Sequence, residues 1–153
     1  MGRLPIKLTR RGFFRDLEPE QAMFIAPSCC PVNFRRGQQI FTQGDEASTV
    51  YMLQAGEVEL HFRPDERFNY SVTTTIVKPG EAFGWSAALG RSHYSATAIC
   101  REDAQALAIS SQDWRLLTTQ NESLGEILDE RMAQTKTEHQ EAMTLALWLA
   151  GLP

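Results

Sequence analysis

No segment of this chain is apolar for long enough to cross a bilayer. The longest candidate, near Leu145–Ala150, falls far short of the roughly 20 residues a spanning helix needs. The start, MGRLPIKLTRRGFF, lacks the apolar run and small-residue cleavage site of a secretory signal. Together these absences lead to the expectation of a cytoplasmic protein without a membrane partner. Positive charge is also short, with 15 Lys and Arg against 19 Asp and Glu and a formal charge of −4. A dedicated nucleic-acid binder needs clustered cations, and that class is set aside. The cluster that exists, Arg10, Arg11 and Arg15 with Arg3 and Lys7 nearby, reads as a solubilising N-terminal arm ahead of a binding patch.

Cysteine is scarce and unpaired in pattern. Cys29, Cys30 and Cys100 form no CxxC and no disulfide framework, which suits a reducing compartment. His61, His93 and His139 lie far apart with no HxH or HxxxH spacing, so no metal site is assigned. A nucleophile elbow, a P-loop and a catalytic carboxylate pair are all missing from the sequence, and no enzyme is expected.

What is present is punctuation. Leu17–Ala26 reads as a short helix with Pro19 in its first turn and Met23, Phe24 and Ala26 as its apolar face. From Val32 to Ile109, short alternating apolar runs are separated by turn signals such as QGDEAS, PDERFN and KPGE. That spacing predicts a β-sandwich or barrel. After Ser110 the period becomes helical. Ser111 is the expected cap of SQDWRLLTTQ, and Asn121 or Ser123 opens a long helix reaching about Ala150, with Ser123 and Glu126 at capping-box spacing. Its 4,3 pattern (Leu128, Met132, Thr135, His139, Ala142, Ala146, Leu149) is that of a seam for pairing with a copy of itself, with folding back on the barrel as the alternative.

FRRGQQIFTQGDEASTVYMLQAGEVEL, followed by KPGEAFGWSAALGRSHYSATA, resembles the cyclic-nucleotide-binding domain of CRP/FNR-type regulators, kinase regulatory subunits and gated channels. The resemblance runs from about Leu17 to Ala150. It implies a mainly β fold with flanking helices, an eight-stranded jelly roll followed by a long C-terminal dimerisation helix. It also implies an N-terminal arm over 1–16, the roll over 17–122 and the dimerisation helix over 123–153. Gly44 and Gly56 are expected in turns of positive φ, and Gly84 where the backbone meets the ligand.

In nucleotide-binding members a Glu follows the glycine matching Gly84 and holds the ribose, and an Arg further on pairs with the cyclic phosphate. Here those positions are Trp85 and Tyr94. Losing a guanidinium–phosphate pair from a partly buried site costs about 2–5 kcal/mol. Ordinary cyclic AMP or GMP binding is therefore expected to be weakened or lost. The candidate ligand-binding cassette is Gly84, Trp85, Ser86, Ala87, Arg91, Tyr94, Ser95 and Thr97. Free N–H groups near Trp85, Ser86 and Ala87 are expected to favour an anion, with Arg91 as a substitute cation. Thr135 and His139 are the candidate contacts from the long helix.

The resulting expectation is a regulatory sensor with a small-molecule ligand in a divergent pocket, homodimeric through its C-terminal helix. The alternatives are a ligand-free interaction module plugged by Trp85 and Tyr94, or the sensor half of a CRP/FNR-type transcriptional regulator. His93 is a position from which a haem could be held, as in some divergent relatives, but a solvated loop histidine is the stronger reading and no cofactor is assigned. Since the sequence stops at Pro153, direct DNA binding is not expected. The terminal LALWLAGLP, with Trp148, is a candidate face for a protein partner.

Overall fold

A computed structural model describes residues 12–65 and 70–151. Among the described residues, eight strands form two four-stranded antiparallel sheets, and helices flank them. The first sheet runs in the order β1 (Cys30–Phe34), β8 (Ala104–Ser110), β3 (Thr49–Ala55), β6 (Ala82–Phe83). The second runs β2 (Gln39–Phe41), β7 (Thr97–Cys100), β4 (Val58–Phe62), β5 (Val72–Val77). This is the expected eight-stranded jelly roll. Gly44 and Gly56 both take positive φ in the turns that separate strands. Apolar pairs set the register: in β3 and β8, Val50 lies opposite Ile109 and Met52 opposite Leu107, all four buried. A slip of one residue would turn those side chains outward.

Helix α1 (Pro19–Ile25) starts with Pro19 at its first position and a capping box between Glu18 and Gln21. Its expected apolar face is corrected. Met23 and Phe24 are exposed, whereas Ile25 and Ala26 are buried, because the chain tightens into a 3₁₀ turn at Ala26–Ser28 that brings them onto the core. Phe13 and Phe14, inside the span read as an arm, form a 3₁₀ turn at Gly12–Phe14 and are also buried. Phe13 lies 6.0 Å from the ring of Trp114, and its carbonyl accepts from Arg131 Nη1 at 2.8 Å. Arg3, Lys7, Arg10 and Arg11 lie outside the described residues.

Helix α3 (Ser111–Gln120) is capped by Ser110, not Ser111: its hydroxyl accepts from the Asp113 N–H at 3.0 Å. The long helix α4 (Glu122–Leu149) is capped by Asn121, whose side chain accepts from Leu124 N–H at 3.2 Å. Ser123 donates to that same Asn121 oxygen instead of forming a capping box with Glu126. Leu124, Leu128 and Met132 are fully buried against their own chain. The amino-terminal half of the expected self-pairing seam is thus spent on the roll. Leu145, Trp148 and Leu149 remain exposed, the last two by 72% and 70%.

Cys29 is buried and desolvation pushes its thiol up to about 12, so it packs as an apolar residue; Cys30 alone of the three is exposed. No helix among the described residues is long and apolar enough to cross a membrane.

Candidate functional site

β6 is followed by Gly84, whose φ of +79° lies in the left-handed region. A Cβ there would come within 3.1 Å of the Thr49 carbonyl oxygen, so both conformation and space favour glycine. The chain then makes one turn of helix, α2 (Trp85–Ala88), closed by Leu89 N–H to Trp85 O and Arg91 N–H to Ser86 O. The returning loop is tied to the Gly44–Ala47 turn by main-chain bonds: Tyr94 N–H to Asp45 O, Gly44 N–H to Tyr94 O and Ala47 N–H to Ser92 O. Those bonds hold the backbone of Tyr94, whose side chain turns inward.

Tyr94 is 5% exposed and stacks on Phe41 at 3.8 Å between ring centroids, with 12° between planes. Its hydroxyl donates to Thr49 O at 2.5 Å and accepts from Thr49 N–H at 3.0 Å. Burial pushes the phenol above its ordinary range, so the group is neutral at physiological pH. Phe41 continues to Tyr51 and Phe83, giving a connected aromatic cluster through the roll. Trp85 is 8% exposed, and Lys136 Nζ of α4 sits 5.9 Å from its ring centroid, within cation–π range. Between Phe41, Leu60, Trp85 and Tyr94 there remains a cavity of about 20 Å³. That is room for about one water, whereas small-molecule pockets run to about 300–1,000 Å³.

Of the candidate residues, Gly84, Trp85, Ser86, Tyr94 and Ser95 meet around this cavity. The others do not join them. Ala87 borders a separate groove beside α3, and its N–H, expected to be free for an anion, bonds to Gly84 O at 3.2 Å. The Arg91 side chain is exposed and lies outside the cavity lining. Thr97 Oγ1 accepts from Gln43 N–H at 2.9 Å and faces a surface cleft shared with His61 and Arg63. His93 is exposed, with Nδ1 at 2.8 Å from Ser92 Oγ.

Thr135 and His139 also lie away from the cassette, in an outer cleft with Gly12, Arg15 and Glu81. His139 Nδ1 is buried without a hydrogen-bond partner among the described residues, and desolvation lowers its pKa to about 4. The imidazole is therefore neutral at pH 7. A helix residue that does reach the cassette is Lys136, which lies within the polar stretch 135–140 of the helix but was not among the two candidate contacts. Its signal was the spacing Leu128, Met132, Lys136, three positions four apart on one helix face. Among the described residues, no cluster of His, Cys, Asp and Glu could hold a metal ion.

Comparison with known proteins agrees with this architecture. Residues 31–121 match the family model of the cyclic nucleotide-binding domain. The chain is similar to the cyclic AMP receptor protein of Thermus thermophilus, with 31% identity over 107 residues that cover 68% of this chain and 47% of that one. It thus spans less than half the length of that curated relative. Among solved structures, a putative cyclic nucleotide-binding protein from Geobacter metallireducens superposes with a TM-score of 0.70 at 26% identity, covering 84% of this chain and 91% of that chain. The Thermus thermophilus catabolite activator protein superposes with a TM-score of 0.73 at 24% identity, covering 91% and 62%. The jelly roll, the glycine-led turn into a one-turn helix and the long helix after the last strand thus accompany a family match over more than half the chain: it belongs to the cyclic nucleotide-binding domain family.

Proposed function

We propose that this chain is a regulatory domain in which two of its own side chains occupy the place of a cyclic nucleotide. The observation that carries this reading is Tyr94, stacked on Phe41 and bonded twice to Thr49, beside a remaining cavity of about 20 Å³. Where a nucleotide-binding relative would present a guanidinium to phosphate, this chain presents a neutral phenol with both hydrogen-bonding roles taken. Trp85, held under Lys136, fills the position from which a carboxylate would hold ribose. The indole links cassette to long helix, the two parts that a ligand would otherwise bridge. Such a contact contributes about 1 kcal/mol. On this reading the domain signals through protein contacts and not through ordinary cyclic AMP.

Titration with cyclic AMP and cyclic GMP, followed by calorimetry and tryptophan fluorescence, tests the plug. Neither nucleotide should give a saturable signal below about 1 mM, an affinity no tighter than about −4 kcal/mol. Saturable binding in the micromolar range would overturn it.

The exposed carboxyl-terminal part of α4 supports a homodimer. Leu145, Trp148 and Leu149 place large apolar surface on a helix whose earlier turns are already covered. A second copy, packed helix to helix, would bury it. Sedimentation of the wild type is expected to give a dimer at micromolar concentration, and Leu145→Glu with Trp148→Glu a folded monomer. A monomeric wild type at about 100 µM, well above the range in which stable dimers dissociate, would remove the dimer from the proposal.

A further inference from the structure

The outer cleft contains a second pair of charges that the cassette does not use. It measures about 280 Å³ and lies between the Gly12–Phe14 turn, the turn from β5 to β6, and one face of α4. The helix face is Arg131, Gln134, Thr135, Glu138 and His139, spaced i, i+3, i+4, i+7 and i+8. Its opposite wall is held in place by Phe13 N–H to Gly80 O at 2.7 Å. Gly12 sits so near Gly80 that a Cβ would fall 2.2 Å from the Gly80 carbonyl oxygen, so the wall is built by close backbone contact.

Arg15 and Arg131 both line this cleft. Among the described residues, neither has a carboxylate within ion-pair distance. Each is anchored by one Nη1 bond to a main-chain carbonyl, Arg131 to Phe13 O at 2.8 Å and Arg15 to Gly12 O at 3.2 Å. A guanidinium has five N–H donors, so each fork is oriented with donors to spare. Burial, and then the neighbouring Arg15 charge, lower the Arg131 pKa, while Asp16 and Glu130 offset this only in part. Two like charges are thus held near one another without a direct counter-ion. Further along, His139 Nδ1 is one of three buried side-chain polar atoms among the described residues that lack a partner. The acids on the same walls are already engaged: Glu81 accepts from Lys78 N–H at 2.7 Å, and Glu138 from the Gln134 amide at 3.2 Å.

We propose that this cleft binds a small oxyanion, the phosphate or carboxylate group of a small molecule, between Arg15 and Arg131. Oriented guanidinium forks are suited to planar or tetrahedral oxyanions. Glu81 and Glu138 keep the cleft from being uniformly positive and so favour a single anionic group over a polyanion. The occupant would tie the Gly12–Phe14 turn to the middle of α4, giving the long helix an input separate from the filled cassette. The site stands independently of how the cassette is read, since Trp85 and Tyr94 take no part in its lining.

The test is thermal unfolding and amide NMR of the full chain titrated with inorganic phosphate, and separately with acetate, at ionic strength held constant with chloride. At least one anion is expected to give saturable stabilisation, with shifts centred on Arg15, Arg131 and Thr135. Which anion does so assigns a phosphoryl or a carboxylate ligand. Arg15→Gln should weaken that response roughly tenfold, as expected for loss of one charge-assisted contact. Arg15→Lys, which keeps the charge and loses the fork, should fall between. No response beyond the chloride control, or one identical in wild type and Arg15→Gln, would overturn the assignment.

Discussion

Tyr94→Arg combined with Trp85→Glu is expected to destabilise the ligand-free domain and to make its stability depend on cyclic AMP. The first substitution removes the stack on Phe41 and both hydrogen bonds to Thr49. It leaves a guanidinium partly buried and, without its nucleotide phosphate, facing only the carboxylate brought in at position 85, a change that costs about 3–5 kcal/mol. For a domain of this size each kcal/mol is worth about 2–4 °C, so the melting temperature should fall by roughly 10 °C. Glu in place of Trp85 vacates most of the volume of the indole and ends the cation–π contact with Lys136. A cyclic nucleotide then finds space, a cation for its phosphate and a carboxylate for its ribose. At a hundred times its dissociation constant it should return about 2.7 kcal/mol. Differential scanning fluorimetry with and without cyclic AMP reads both effects. If the double variant melts like the wild type, the two aromatics are not structural plugs. If it is destabilised but indifferent to cyclic AMP, removing them does not restore the pocket.

Gly125→Ala is expected to destabilise the domain despite the usual advantage of alanine in a helix. Gly125 is buried near the start of α4, where that helix crosses α3. A Cβ there would lie 2.1 Å from the Thr118 carbonyl oxygen, a main-chain atom that moves only if the helices part. Alanine gains about 1 kcal/mol of intrinsic helix propensity. Forcing apart packed helices commonly costs about 1–3 kcal/mol and sometimes more. With a backbone overlap this close the second term wins, and a net loss of about 2 kcal/mol is expected in chemical denaturation. A variant as stable as the wild type would mean that α3 and α4 can separate at no cost to the core around Leu124 and Leu128.

Part of this outcome was legible from local sequence. Alternating runs such as Val50–Leu53 mark strands because side chains in a strand alternate faces. Gly44 and Gly84 mark turns because their positive φ excludes most other residues. Helix starts were placed to within a residue or two. Ser110 caps α3 in place of the expected Ser111, and of the two expected starts of α4 it is Asn121 that caps it, because cap choice depends on where the preceding strand or turn delivers the chain. Met23 and Phe24 were misplaced for a related reason. On a two-turn helix the core-facing side is set by the next element of the chain, here a 3₁₀ turn that buries Ile25 and Ala26.

By itself the sequence determined a sandwich or barrel of short strands and a long last helix, because these depend on residue types at fixed spacings; the jelly roll and the replacement of both charged cassette positions by Trp85 and Tyr94 were read from the family resemblance. The tertiary structure decided what those substitutions do. Tyr94, its backbone held against the Gly44–Ala47 turn, points inward to the Phe41 ring and to Thr49, residues far back in the chain that supply its stack and both its hydrogen bonds. Lys136 meets Trp85, and Thr135 and His139 turn to the outer cleft, because α4 lies on the roll at one rotation. A helix carries its 3.6-residue period in its sequence, but its rotation against a sheet is fixed by which side chains the sheet has room to bury, here Leu124, Leu128 and Met132.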